Sequence, residues 1–125
     1  MTALKVDLPL VSVVDDDESV RESLPDLLKE FGYAVLAFSS AEEFLASDSV
    51  TETRCLILDY AMPGMSGPDL QRELRRRRQE VPIVYITAHA DEVVRSQLLE
   101  LNAAACLFKP FSDADLRKAL DSALE

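Results

Sequence analysis

Leu10-Val11-Ser12-Val13-Val14-Asp15-Asp16-Asp17 is an apolar run that ends abruptly in three consecutive acids. A short run of this kind, rich in Val and with almost no polar alternation, is what a strand covered on both faces of a parallel sheet looks like. Similar runs recur at Ala34–Phe38, Cys55–Leu58, Ile83–Ile86 and Ala105–Phe108, which predicts five strands. Three of the five are nearly uninterrupted in Val, Ile and Leu.

Helical spacing fills the intervals. Val20, Leu24, Leu27, Leu28 and Phe31 fall at i, i+4, i+7, i+8 and i+11, with Gly32 as the stop. Pro25 lies inside that segment, where it removes a backbone donor and is expected to kink the helix or make it begin late. Phe44 and Leu45 mark a second helix. Leu70 and Leu74 mark a third, beginning after Gly67-Pro68 and running into Arg75-Arg76-Arg77-Arg78. That arginine run reads as a solvated helix end favoured by the helix dipole, with a docking patch as the alternative. Val94, Leu98 and Leu101 mark a fourth helix, and Leu116, Leu120 and Ala123 a fifth, with Ser112 and Asp115 spaced as a capping box. Alternating strands and helices with short connections imply an α/β sandwich with right-handed crossovers. Five of each suit a flavodoxin-like (βα)5 three-layer sandwich whose five-stranded parallel sheet has the order 2-1-3-4-5 and a ligand crevice beyond the carboxyl ends of strands 1 and 3.

Composition sets limits on what such a domain does. The 125 residues carry 13 Lys and Arg against 23 Asp and Glu, a net charge of −10, with 48% hydrophobic residues. At this length a single core suffices, so residues 4–125 are expected to form one domain with no second domain in the chain. The acidity argues against direct nucleic acid binding, which requires clustered cations to neutralise phosphates. No stretch approaches the roughly 18 apolar residues of a membrane span, and there is no signal-peptide pattern, so the expected location is cytoplasmic. Cys55 and Cys106 each lie in an apolar run without a CxxC or zinc spacing and are expected to be buried free thiols.

The strand ends carry the chemistry. Strand 1 is followed by Asp15, Asp16 and Asp17, and strand 3 by Asp59; strand 4 delivers Thr87 and strand 5 delivers Lys109-Pro110. Two carboxylates about 4 Å apart repel by roughly 4 kcal/mol at an effective dielectric of 20, so a cluster of them calls for a cation or a proton. All the nearby ligand atoms are oxygens, which favours Mg²⁺. Carboxylates, a metal, a hydroxyl and an ammonium together make a phosphoryl site, with Asp59 as the nucleophile and the Ala61 backbone carbonyl in the following turn available to the metal. Asp17 and Glu18 read instead as acids at a helix N-terminus.

Val-Val-Asp-Asp-Asp-Glu at 13–18, Leu-Asp-Tyr-Ala-Met-Pro-Gly-Met-Ser-Gly at 58–67, Ile-Thr-Ala at 86–88 and Phe-Lys-Pro-Phe at 108–111 together resemble the response-regulator receiver (CheY-like) domain of two-component signalling, across essentially the whole chain. Met62–Gly67 and the Thr87-Ala88-His89-Ala90-Asp91 run look most like the FixJ/NarL branch. The resemblance implies a domain that accepts a phosphoryl group from a sensor histidine kinase on Asp59 and assists its own phosphorylation, rather than a conventional enzyme. Asp16 and Asp15 would hold Mg²⁺ with Asp59 and the Ala61 carbonyl, Asp16 the more direct ligand. Thr87 and Lys109 would each take a phosphoryl oxygen, and the Lys109-Pro110 peptide would be cis. Ala61 and His89 would flank the path of the hydrolysing water. The domain would then switch an interaction surface, the face of the fourth helix, fifth strand and fifth helix, toward a homodimer or an output domain controlling transcription.

Two residues depart from the pattern. Receivers place an aromatic residue three before the lysine, where this chain has Cys106, so that the aromatic is missing or replaced by another residue such as Tyr85 and coupling from Thr87 is atypical. The glycine that usually ends the fourth helix is Asn102, which tolerates the left-handed conformation. Two competing functions are an Mg²⁺-dependent aspartyl-phosphate hydrolase, with Asp15-Asp16-Asp17 as an Asp-x-Asp motif, and a pseudo-receiver acting as a constitutive binding module. The first needs a cap and a longer chain; the complete acid, threonine and lysine set argues against the second.

Overall fold

The computed structural model describes residues 8–88 and 92–125. Five strands, β1 (Leu10–Val14), β2 (Ala34–Phe38), β3 (Thr53–Asp59), β4 (Ile83–Thr87) and β5 (Ala105–Phe108), alternate with five helices, α1 (Glu18–Glu30), α2 (Ala41–Ala46), α3 (Gly67–Arg76), α4 (Glu92–Glu100) and α5 (Asp113–Ala123). The strands form one sheet in the order 2-1-3-4-5, and every pair is parallel. Strands at the centre of such a sheet meet a helix layer on each face, which is why β1, β3 and β4 are apolar on both sides. Leu56, Leu58 and Tyr85 pack toward α2, α3 and α4, with Phe44, Leu70, Leu74 and Leu98. Cys55, Ile57, Val84 and Ile86 pack toward α1 and α5, with Leu24, Leu28, Leu116 and Leu120. The edge strands β2 and β5 are more open, and Leu36 on β2 is exposed.

Several boundaries differ from expectation. β3 begins two residues before Cys55 because Thr53 can enter the sheet with its hydroxyl satisfied, bonded to Ser12 Oγ and to the Ser49 carbonyl, both at 2.7 Å. It also extends to Asp59, which stays in register with Ile86. α1 does not begin late: it starts at Glu18 and passes through Pro25. Its start is fixed by Asp17, whose carboxylate accepts from the Ser19 N–H at 2.9 Å, and Leu24 and Leu28 bury its apolar stripe on either side of the proline. α3 includes Gly67 and Pro68 as its first turn, with Ser66 and Asp69 forming a reciprocal capping box. At α5 Ser112 Oγ accepts from the Asp115 N–H at 3.0 Å. Asn102 takes φ 56°, as its residue type permits, and so does Arg78 at φ 60°, where nothing in the sequence anticipates it.

Cys55 is fully buried, and burial pushes its thiol up to about 12. Cys106 is only half-buried, on a strand with no neighbour beyond it among the described residues, so the expectation of two buried thiols holds for Cys55 alone. All four arginines of the run are exposed, as a solvated helix end requires, and three of them also make defined contacts. Arg76 and Arg77 pair with Glu73, and Arg75 donates to the Leu101 carbonyl at the end of α4. No helix among the described residues is long and apolar enough to cross a membrane.

Candidate functional site

In an all-parallel sheet every strand's carboxyl end faces the same edge, and here that edge gathers the polar groups. Asp15 follows β1 directly and is fully buried; Asp16, the next residue, is exposed. Asp59 closes β3 and Thr87 closes β4, both buried. One carboxylate oxygen from each of Asp15, Asp16 and Asp59 can be chosen so that all three lie within 4.8 Å of one another. Lys109, just beyond β5, reaches into this group with Nζ 3.0 Å from Asp15 Oδ2 and 3.9 Å from Asp59 Oδ1.

The backbone holds these ends in place. The Lys109 N–H donates to the Thr87 carbonyl at 2.8 Å, and the Tyr60 N–H donates to the Ile86 carbonyl at 3.0 Å, so the exits of β3, β4 and β5 are tied together. The Lys109-Pro110 peptide is cis. Asp15 is further fixed by the Asp17 N–H, which donates to its Oδ1 at 2.9 Å, and Arg21 Nη1 donates to its carbonyl at 3.0 Å. Gly67 admits no side chain: a Cβ there would lie 2.5 Å from the Asp59 carbonyl oxygen and 2.9 Å from Tyr85 Cε1. The turn from Tyr60 to Ser66 is thus drawn tightly back against the end of β3, with the Gly67 N–H donating to the Tyr60 carbonyl at 3.1 Å.

Electrostatics follow from this geometry. Burial, then the charge of Asp15, push the Asp59 carboxyl up to about 7, against the opposing pull of Lys109. For Lys109 burial disfavours the ammonium, but the hydrogen bond and charge of Asp15, with Asp59, outweigh it and hold the group above the usual lysine range. Three carboxylates with one ammonium leave an excess of negative charge, and the donors are oxygens alone. That set fits a hard divalent cation such as Mg²⁺ and not a soft one.

Of the residues expected from sequence, the structure brings Asp15, Asp16, Asp59 and Lys109 into one cluster and sets Thr87 on the same edge, bonded through its backbone to Lys109. Ala61 is exposed in the turn two residues after Asp59. Asp17 is a helix cap, and its bonds from Ser19 hold its carboxyl below the usual range. His89 lies outside the described residues. Sequence reasoning missed Arg21, for which the sequence carries no signal. It also missed Gln71, a buried amide on the face of α3 that carries Leu70 and Leu74.

Residues 11–121 match the family model described as the response regulator receiver domain. The chain is 42% identical over 116 residues to Nodulation protein W of Bradyrhizobium diazoefficiens, covering 93% of this chain and 51% of that protein. It is 39% identical over 114 residues to the transcriptional regulatory protein FixJ of Azorhizobium caulinodans, covering 91% of this chain and 54% of the other. The chain therefore spans about half the length of these curated relatives. Among solved structures, that of FixJ-N superposes with a TM-score of 0.83 at 36% identity, covering 93% of each chain.

Proposed function

The chain belongs to the response regulator receiver domain family, and from that membership we propose that Asp59 is its phospho-acceptor, served by an Mg²⁺ site of Asp15, Asp16, Asp59 and the Ala61 carbonyl. The observation that carries this reading is the cluster itself, three carboxylates from two strand ends within 4.8 Å and one lysine reaching in from a third.

An Asp59 carboxylate oxygen attacks the phosphorus of the donor as the bond from phosphorus to the leaving group breaks, and an acyl phosphate forms on Asp59. With a phosphohistidine donor on a sensor kinase the departing imidazole takes up a proton. Bound Mg²⁺ supplies positive charge against the phosphoryl oxygens. Lys109, held charged by Asp15, exchanges that partner for a phosphoryl oxygen, and the Thr87 hydroxyl donates to another. Later attack by water on phosphorus restores the carboxylate, so the domain assists its own phosphorylation and dephosphorylation without acting as a conventional enzyme.

The partner is a sensor histidine kinase in the cytoplasm, and residues 4–125 act as a single receiver unit. The surface that changes is the face of α4, β5 and α5, toward a second copy or an output domain that controls transcription, as the name of the transcriptional regulatory relative FixJ suggests. Leu99 is 82% exposed there, beside Arg95, which lies over the Phe108 ring at 4.9 Å.

The test is incubation with Mg²⁺ and acetyl phosphate followed by intact-mass measurement. One phosphoryl mass on the wild type, absent from Asp59→Asn and without added metal, is expected. No added mass on the wild type, or undiminished labelling of Asp59→Asn, would refute the assignment.

A further inference from the structure

Tyr85 is fully buried in the middle of the sheet, two residues before Thr87, and a phenol there must find a partner. It donates to Gln71 Oε1 on α3 at 2.6 Å. Gln71 is buried as well, and its Nε2 donates to the Leu101 carbonyl at 2.8 Å. That carbonyl, one residue past the last turn of α4, also accepts from Arg75, so two side chains of α3 satisfy an acceptor that the helix leaves open.

The ring edge beside that hydroxyl faces the turn next to the acidic site. Its ring lies against Gly67 so closely that a methyl group would not fit between them, and it meets the Tyr60 ring edge-on with centroids 6.2 Å apart. Tyr60 and Gly67 are bonded to each other and bracket the turn that follows Asp59. Room for so large a side chain comes from the neighbouring strand, where the in-register partner of Tyr85 is the small Cys106. Ala61, Pro63 and Gly64 face solvent, but close-packed interiors yield little, so an inward movement of Tyr60 or Gly67 at the base of the turn meets the ring and its hydrogen bonds.

We propose that Tyr85 is a positioning residue that braces the 60–67 turn and ties it, through Gln71, to the C-terminal end of α4, so that filling the acidic site is felt at Leu101. This rests on the phospho-acceptor reading of Asp59. The link runs through α3 and the sheet interior rather than along the edge strand β5. It also gives Arg75 a role distinct from the rest of its run, as a second donor at the far end of the link.

The experiment uses the whole 125-residue chain, Mg²⁺ and acetyl phosphate, with intact mass and amide exchange of residues 98–104 read on the same sample. On phosphorylation the wild type should change exchange in that segment by about fivefold or more, the low end of usual couplings between sites. Tyr85→Phe keeps the ring and deletes the bond to Gln71; it should still acquire the phosphoryl mass but lose the exchange response. Tyr85→Phe with Gln71→Met removes both partners, leaving no orphaned amide, and should behave the same way. A full response at 98–104 in a phosphorylated variant overturns the link, and so does a phosphorylated wild type without any response. A wild type that gains no mass overturns the phospho-acceptor reading and the link with it, and the mass arm alone identifies that case.

Discussion

Asp59 and Gly67 show how much a single position carries. The folded state raises the Asp59 carboxyl to about 7 from an ordinary 3.8. Between those values the folded protein keeps a proton that the unfolded chain has lost, so stability falls as pH rises through that window. Three pKa units amount to about 4 kcal/mol, which partial solvation at the sheet edge reduces, so Asp59→Asn should stabilise the metal-free protein at pH 8 by about 1–3 kcal/mol. The gain should shrink toward zero below pH 4, as thermal melts across pH would read. Gly67→Ala forces a methyl group onto the Asp59 carbonyl oxygen and the Tyr85 ring, neither of which is a flexible chain end. It should cost about 2–3 kcal/mol in urea denaturation, the upper part of the range for overpacking. Asp15, Asp16, Asp59 and Lys109 were legible in the sequence because each follows an apolar run, and a parallel sheet puts all such ends together. That Lys109 sits closer to Asp15 than to Asp59 was not legible, since it depends on side-chain paths that no spacing encodes.

At the scale of elements, ends are set by caps more than by propensity. The Ser66–Asp69 box starts α3 directly behind the turn that leaves Asp59, so Ser66→Ala should cost about 1 kcal/mol in stability, measurable as a lower urea midpoint at constant slope. The five strands were readable because their apolar runs are short and sharply bounded. What escaped notice was polar: Thr53 at the head of β3 and Gln71 on α3 both look like interruptions in a hydrophobic pattern. Each is buried because a specific partner, Ser12 or Tyr85, is brought to it from far along the chain. Arg75 differs: it stays exposed, as its run predicts, and the bond to the end of α4 is what the spacing did not foretell. Pro25 taught the reverse: a local penalty within α1 is overridden by the buried Leu24 and Leu28 on either side.

For the whole molecule, a metal bound only by the folded state must stabilise it by mass action. Mg²⁺ at ten times its dissociation constant should add about 1.4 kcal/mol, raising the melting temperature of the wild type with concentration and that of Asp59→Asn much less. Calorimetry at a series of Mg²⁺ concentrations checks this. The order 2-1-3-4-5 was legible from alternation and strand number, whereas the division of the interior into two cores, one under α2, α3 and α4 and the other under α1 and α5, follows only once the register is known. The Lys109–Asp15 pair joins residues 94 positions apart. A chain still emerging from the ribosome, or one frayed at β5, therefore has its acids but lacks their cation. Such a chain holds its clustered carboxylates uncompensated until the last strand is in place.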